Sequence, residues 1–338
     1  MNMNSAGNRK LLGDVELMRF VGAILIMGCH LFIIGYEDGK HLFSICWVWV
    51  DFFFILTGAL TCRHYLNKSV VMGDCGEEAL AYTIRKFKKL VPYVFLALVM
   101  MYVVISTDYL RDGNIKGLFG TMLNLPFEML FVSSSGIITP RLATIWYLSA
   151  LFIVLPIFVY MNTAHNGFWK IFSLLYSILY FGKMGVNAVR EWPNDLLRAF
   201  ACLCLGNVAV ILATYISKQY NSRLWNMIFS FMEVVFCVVA VYRTVFNKEH
   251  LNLIELLFFA IVAIMMSEQT AFANIDNKVV AFLGKLSIPM YLFHMVIANI
   301  VIRVISNLRG RTLVFYVGTL IISVISVVVS DKYNRVRK

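Results

Sequence analysis

The first long apolar segment of the chain carries an arginine and a histidine whose spacing predicts a shared helical face. Arg19 and His30 are 11 residues apart, which on an α-helix is three turns plus about 20°, or about 16 Å along the axis. A histidine can act as a general base at neutral pH, and buried charge is costly, so a common polar cavity is one interpretation. The alternatives are an arginine that reaches the lipid headgroups and a histidine that bonds another helix.

Two acidic residues extend this pattern. Glu16 lies three residues before Arg19, where it could hold the guanidinium or form an ordinary ion pair of little energy. Asp51 lies among aromatic residues in the second apolar segment, so it must face a cavity, find a partner or take up a proton. The nearby Trp47 and Trp49 are typical of the membrane–water interface.

A cluster of basic residues precedes the third apolar segment. Its members are Arg85, Lys86, Lys88 and Lys89. Four positive charges in five residues suit a phosphate group. They suit lipid headgroups equally well, and the residues alone favour the lipid interpretation.

The ninth apolar segment carries a second polar face. Ser287, Tyr291 and His294 follow one another at helical spacing and share that face. Pro289 lies between them and is predicted to break or kink the helix. A packed, kinked helix without a catalytic role is the alternative interpretation.

The composition places these residues in a membrane. Of the 338 residues, 60% are hydrophobic and 14% are charged, whereas a soluble domain has about 25% charged residues. The prediction is an all-α polytopic membrane protein, and disordered chains, coiled coils and disulfide-stapled domains are excluded. The net charge of +11 is explained by basic loops beside anionic lipid, so no nucleic acid partner is expected.

Ten segments approach the roughly 20 apolar residues that cross a bilayer. They are 16–36, 44–62, 90–108, 142–162, 170–186, 196–216, 226–242, 251–268, 282–305 and 312–330. The apolar segment 118–132 is short and holds Pro126 and Glu128, which predicts an interfacial or re-entrant piece. No linker interrupts the chain, so residues 1–338 are predicted to form one domain.

Lys and Arg are concentrated at both chain ends and in the 63–89 loop. The positive-inside rule then predicts that both termini are cytoplasmic. In this orientation Arg19 lies at the cytoplasmic edge and His30 lies deeper, towards the outer half.

Three function classes fit these features: an enzyme, a transporter or flippase with a path lined by Arg19, His30 and Asp51, and a purely structural membrane protein. Transporters usually show repeated halves with paired broken helices, which the sequence lacks. It also lacks metal-binding spacing and a nucleotide-binding glycine loop, so no metal and no bound cofactor are predicted.

The order of these motifs resembles the membrane-bound acyltransferase 3 family over nearly the full length of the chain. That family carries an arginine, ten residues and a histidine in its first helix, preceded by an acid, as do Glu16, Arg19 and His30. The later motifs, with threonine in the place of one serine, are matched at Val50-Asp51, Thr57-Gly58, Trp146-Tyr147-Leu148-Ser149-Ala150-Leu151, Leu283-Gly284, Ser287, Tyr291-Leu292 and His294.

The chain departs from the family at an Arg-x-x-Arg motif that precedes a proline. Aligned on Pro92, the corresponding pair is Lys86 and Lys89, and one residue earlier it is Arg85 and Lys88. Lysine keeps the charge but loses the two-pronged geometry of the guanidinium. Either pair could take the role of the family motif.

The resemblance implies transfer of an acyl group, commonly acetyl, from cytoplasmic acyl-CoA to a hydroxyl of a surface polysaccharide or its lipid-linked precursor. Acetyl-CoA would be a co-substrate, and the protein would lie among the lipids of a bacterial plasma (inner) membrane. The catalytic residues implied are His30, Arg19 and His294. The implied substrate-binding residues are Arg85, Lys86, Lys88, Lys89, Glu16, Asp51, Trp146, Ser149, Ser287 and Tyr291.

Overall fold

The computed structural model is built from α-helices, and the residues that it describes contain no β-strand. These residues are 12–37, 42–66, 68, 70–184, 194–246, 251–273, 275 and 277–336. Within these ranges the helices are α1 Gly13–Cys29, α2 Trp49–Tyr65, α3 Cys75–Lys88, α4 Val91–Arg111, α5 Ile115–Met122, α6 Leu125–Met129, α7 Ile145–Ala164, α8 Asn166–Met184, α9 Asn194–Gln219, α10 Arg223–Val245, α11 Leu251–Ser267, α12 Lys278–Val304 and α13 Leu308–Val336.

Seven helical segments within these ranges are long and apolar enough to cross a membrane. They are Cys46–Tyr65, Val91–Arg111, Ile145–Ala164, Asp195–Gln219, Arg223–Val245, Lys278–Val304 and Leu308–Tyr333. The three remaining predicted segments fall on α1, α8 and α11, of which α1 and α11 have 17 residues each. The chain is therefore an all-α polytopic membrane protein, as the composition predicts, and the number of ten crossings stays a prediction.

The structure changes two local predictions and refines a third. The first helix ends at Cys29 rather than near residue 36, and the chain continues as a 3₁₀ turn over Leu31–Ile34. Helix α12 does not break at Pro289, because it continues through this residue; the alternative of a kink stays a prediction. The segment 118–132 does not form one long helix and instead contains the end of α5 and all of α6.

Contacts between helix ends show that the long helices alternate in direction. We call the end where α1 begins the start end and the opposite one the His30 end. At the start end, the paired residues are Arg63 with Glu268 and Lys285 with Asp331. At the His30 end, they are Trp49 with Thr244 and Arg303 with Asp108. The basic residues of segments 1–11 and 337–338, used above for orientation, lie outside the described residues.

Glycines allow α2 and α9 to run side by side in the same direction at very short range. A Cβ atom at Gly58 would lie 2.7 Å from the Leu203 Cα, and one at Gly206 would lie 2.6 Å from the Ala59 nitrogen. Both distances are shorter than real side chains tolerate, so only glycine fits. Small residues are a common means by which membrane helices bring their backbones together.

A second parallel pair, α1 and α12, uses glycine in the same way. A Cβ at Gly284 would lie 2.7 Å from the Glu16 Cβ. On another face of α1, a Cβ at Gly22 would lie 3.0 Å from the ring of Trp49. Helix α1 is thus held closely against both α12 and α2, and this packing fixes the direction of the side chains at its far end.

We expect Gly58→Ala to destabilise the protein, because the new methyl group meets backbone atoms of α9 that cannot rotate away. Overpacking of this kind costs about 1–3 kcal/mol. Thermal unfolding in detergent measures the effect. Gly182→Ala is the matched control, since nothing lies within 4 Å of a Cβ there, and alanine in a helix is favourable by up to about 1 kcal/mol. Equal melting temperatures for the two variants would contradict the proposed close contact.

Candidate active site

The two histidines of the sequence motifs meet where α1 ends beside the second half of α12. His294 Nε2 lies 3.2 Å from His30 Nδ1, and the ring centroids are 4.9 Å apart. His294 is fully buried, whereas His30 is partly exposed. The structure thus brings together side chains that are 264 residues apart in the sequence.

Backbone carbonyls determine which ring nitrogens carry protons. His294 Nδ1 lies 3.1 Å from the Met290 carbonyl, and His30 Nδ1 lies 2.9 Å from that of Ile26. A carbonyl only accepts, so each neutral ring carries its proton on Nδ1 and its lone pair on Nε2. The single Nδ1 proton of His30 is then shared between two acceptors, the Ile26 carbonyl and His294 Nε2, and the lone pair of His30 lies on Nε2. This tautomer is the one that a general base requires.

His30 lines a cavity of about 210 Å³ at its end of the protein. We call this the His30 cavity. Its walls come from the end of α1, the starts of α2, α7 and α9 and the middle of α12. They combine aromatic, charged and hydroxyl groups. The lining residues are Ile26, His30, Trp47, Val50, Ala143, Thr144, Trp146, Asp195, Arg198 and Tyr291.

A buried ion pair between α2 and α9 forms one wall of the cavity. Arg198 donates to both carboxylate oxygens of Asp51, from Nε at 2.6 Å and from Nη2 at 2.7 Å. The guanidinium also lies over the ring of Trp47, 4.6 Å from its centroid. Asp51 itself is fully buried, so its role is to hold Arg198, which is the residue that reaches the cavity.

The sequence patterns did not identify Arg198 and Asp195, which lie one turn apart at the start of α9 and both line the cavity. The available signal was Asp51, since a buried aspartate requires a cationic partner. The expectation that Trp47 and Trp49 face the membrane interface is wrong for Trp49, which is fully buried and donates from its indole to Thr244 at 3.0 Å. Trp47 lines the cavity instead.

The other motif residues of α7 and α12 occupy different positions. Trp146 and Tyr291 line the His30 cavity. Ser287 lines a small adjoining cavity of about 10 Å³ and donates to the Gly284 carbonyl at 2.8 Å. Ser149 is fully buried, donates to the Phe131 carbonyl at 2.9 Å and accepts from the Ser134 nitrogen at 2.8 Å. Its contacts therefore fix a turn that packs against α7.

Arg19 does not line the His30 cavity. Its Nη1 lies 3.0 Å from the Glu16 carboxylate, and Glu16 packs against Gly284. Arg19 and His30 therefore lie near opposite ends of α1, and the described residues do not place both side chains in one cavity. Between them lies the small apolar cavity lined by Val50, Phe53, Tyr147, Ser287, Ile288 and Tyr291.

The basic cluster lies at the C-terminal end of α3, which follows α2 at the start end. Arg85 contacts Glu78 at 3.1 Å, and Lys68 contacts the same carboxylate at 2.6 Å. Burial would raise the pKa of Glu78, but hydrogen bonds from Lys68 and Tyr65 lower it below its ordinary value. Lys86 is half-buried, and Lys88 and Lys89 are exposed.

One group of side chains has the composition of a metal site. Asp51, Cys202 and Glu255 are buried and offer atoms within 4.8 Å of one another. However, Arg198 already contacts both oxygens of Asp51. A second cation beside this guanidinium would be repelled at short range in a poorly screened interior. We therefore assign no metal to this group.

We expect Asp51→Asn to destabilise the protein by about 3–5 kcal/mol, because it removes the carboxylate that contacts both Nε and Nη2 of the buried Arg198 guanidinium. The double variant Asp51→Leu with Arg198→Met removes both charges and should be more stable than Asp51→Asn. Chemical or thermal unfolding in detergent gives the values. Asp108→Asn is the control, because its partner Arg303 is about 30% exposed and such a pair contributes about 1 kcal/mol or less. If Asp51→Asn and Asp108→Asn lowered the free energy of unfolding equally, burial would not be what makes the Asp51–Arg198 pair important for stability.

A model of the acyltransferase 3 family, described as an acyltransferase domain, matches residues 12–330. No curated protein and no solved structure shows significant similarity to the chain. The match covers α1 to α12 and most of α13, and it therefore includes both histidines, the buried ion pair and the basic cluster. The chain belongs to the acyltransferase 3 family.

Proposed function

We propose that this protein transfers an acyl group, most simply acetyl, from acyl-CoA to a hydroxyl of a cell-surface polysaccharide or lipid-linked glycan precursor. Membership of the family supports acyl transfer in general. The observation that carries the finer proposal is that a histidine with a basic nitrogen lines a polar, aromatic cavity at one end, while a cationic cluster lies at the other end.

The walls of the His30 cavity suit a sugar as the acceptor. Trp47 and Trp146 offer ring surfaces, and Arg198 and Asp195 offer charged hydrogen-bonding groups. A sugar has both features that such a cavity can bind, because its C–H face packs on aromatic rings and its hydroxyls pair with polar groups. An apolar acceptor would displace water from these charged groups and offer no hydrogen bonds in return, at a cost in affinity.

His30 is the general base in this proposal. The acceptor oxygen attacks the thioester carbonyl carbon, and its proton passes to His30 Nε2. The carbon–sulfur bond then breaks, and the CoA thiolate takes up the proton from the imidazolium. The products are an acyl ester and free CoA. His294 is a positioning residue, because its Nε2 holds His30 in the tautomer that leaves the second nitrogen basic.

The donor binds at the start end, with its phosphates at the α3 cluster and near Arg19. The distance of about 16 Å between Arg19 and His30 along α1 suits an extended pantetheine arm. This arm would pass the small cavity between Tyr147, Tyr291 and Phe53, whose side chains would have to move aside. In the cytoplasmic orientation of the start end, acyl groups would leave CoA on one side and reach the acceptor on the other.

We expect His30→Ala to lower transfer by about 10²–10⁴-fold, because general bases contribute factors of this size. Purified protein is assayed for CoA release from acetyl-CoA in the presence of surface polysaccharide from the source cells. His165→Ala is the matched control, since His165 is exposed at the end of α7. Wild-type activity in a folded His30→Ala variant would sink the assignment.

We expect charge reversal in the α3 cluster to raise the KM for acetyl-CoA about tenfold, because each lost charge-assisted bond costs about 1.5–3 kcal/mol and solvent screening reduces that. Lys86→Glu with Lys89→Glu is compared with Arg85→Glu and Lys88→Glu, and the larger effect identifies the pair that replaces the family motif. Lys116→Glu, an exposed position on α5, is the control. If neither double variant changed the KM for acetyl-CoA, the cluster would not bind the donor and would serve as a lipid anchor.

A further inference from the structure

Thr144 carries a buried hydroxyl whose partner the structure does not supply. The residue is 2% exposed, and among the described residues its Oγ1 has no hydrogen-bond partner. It lines the His30 cavity together with His30 itself. A buried hydroxyl without a partner costs free energy, so a ligand in the cavity is a natural partner for this group.

The hydroxyl does not serve as a helix cap. Thr144 is the residue before α7, where a threonine normally accepts from the backbone of the first turn, yet its side chain makes no such bond. The nitrogens of Ile145 and Trp146 bond instead to the carbonyls of Leu142 and Ala143. Helix capping therefore does not explain the threonine at this position.

Several contacts hold Thr144 in position. Its carbonyl accepts from the Tyr291 hydroxyl at 2.9 Å, which ties it to α12 three residues from His294. The preceding loop is fixed by the buried Glu128, which accepts from the nitrogens of Arg141 and Leu142 at 2.9 and 3.0 Å. Such support on both sides is what a preorganised polar contact requires.

We propose that the Thr144 hydroxyl donates a hydrogen bond to the thioester carbonyl oxygen as negative charge develops there. This inference rests on the proposed acyl transfer. When the acceptor oxygen bonds to the carbonyl carbon, its proton goes to His30 Nε2 and the C=O electron pair moves to the oxygen. The oxyanion is held by Thr144 until the C=O bond re-forms, the carbon–sulfur bond breaks and the thiolate is protonated.

The location favours the developing oxyanion over the sugar hydroxyl as the partner. Thr144 precedes the first residue of α7, a helix of 20 residues, and the positive end of a helix dipole stabilises negative charge. The aromatic and charged walls around Trp47 and Arg198 offer other contacts for the sugar. Tyr291 lines both the His30 cavity and the small apolar cavity, and Thr144 lies beside it in the His30 cavity. The donor arm would arrive through the small cavity, close to Thr144.

Kinetics of Thr144→Val, which replaces the hydroxyl by a methyl group of similar size, tests the proposal. With acetyl-CoA and surface polysaccharide of the source cells, we expect kcat to fall about 10²–10³-fold. The KM values for both substrates should stay within a fewfold of wild type, because the bond forms mainly in the transition state. Thr144→Ser, which keeps the hydroxyl, should recover most of the rate.

Thr319→Val is the matched control, since its hydroxyl is equally buried but donates to the Phe315 carbonyl on α13. Melting temperatures in detergent check folding, and Thr144→Ala provides a second variant. An unchanged kcat in folded Thr144→Val, or an increase in acceptor KM at unchanged kcat, would overturn the oxyanion role while leaving the proposed function intact. An inactive wild-type protein would overturn both.

Discussion

The close parallel contact between α2 and α9 is the constraint on which the cavity depends. Gly58 and Gly206 let the two backbones approach to a distance that no side chain allows. In this arrangement Arg198 contacts both oxygens of the buried Asp51. The pair in turn holds a guanidinium against Trp47 at the cavity wall, so a packing contact between glycines determines the polarity of the site.

The α1–α12 pair positions the two histidines at the His30 cavity. Its glycine contact lies at the start end, where Gly284 packs on Glu16, and its functional contact lies at the other end, between His30 and His294. Parallel helices keep both contacts in register over several turns. The basic nitrogen of His30 is therefore positioned by packing that begins far from the cavity.

Local sequence patterns predicted the helices, the inward faces of α1 and α12, and the need of Asp51 for a partner. They could not identify Arg198, because the two residues are 147 positions apart and only tertiary packing brings them together. Thr144 was missed for a related reason, since it falls within the predicted segment 142–162 and nothing local shows that its hydroxyl lines the same cavity as His30. The break considered at Pro289 does not occur, because tertiary context can outweigh the local penalty of a proline within a helix.

The most direct test of the account is the sidedness of transfer, because a base at the His30 end and a donor site at the start end imply substrates on opposite sides. Purified protein is reconstituted in sealed vesicles of known orientation, with acetyl-CoA on one side and a membrane-impermeant surface polysaccharide on the other. The account predicts acetylated product only when acetyl-CoA meets the start end and the polysaccharide meets the His30 end. Product that forms only when both substrates share one side would contradict it.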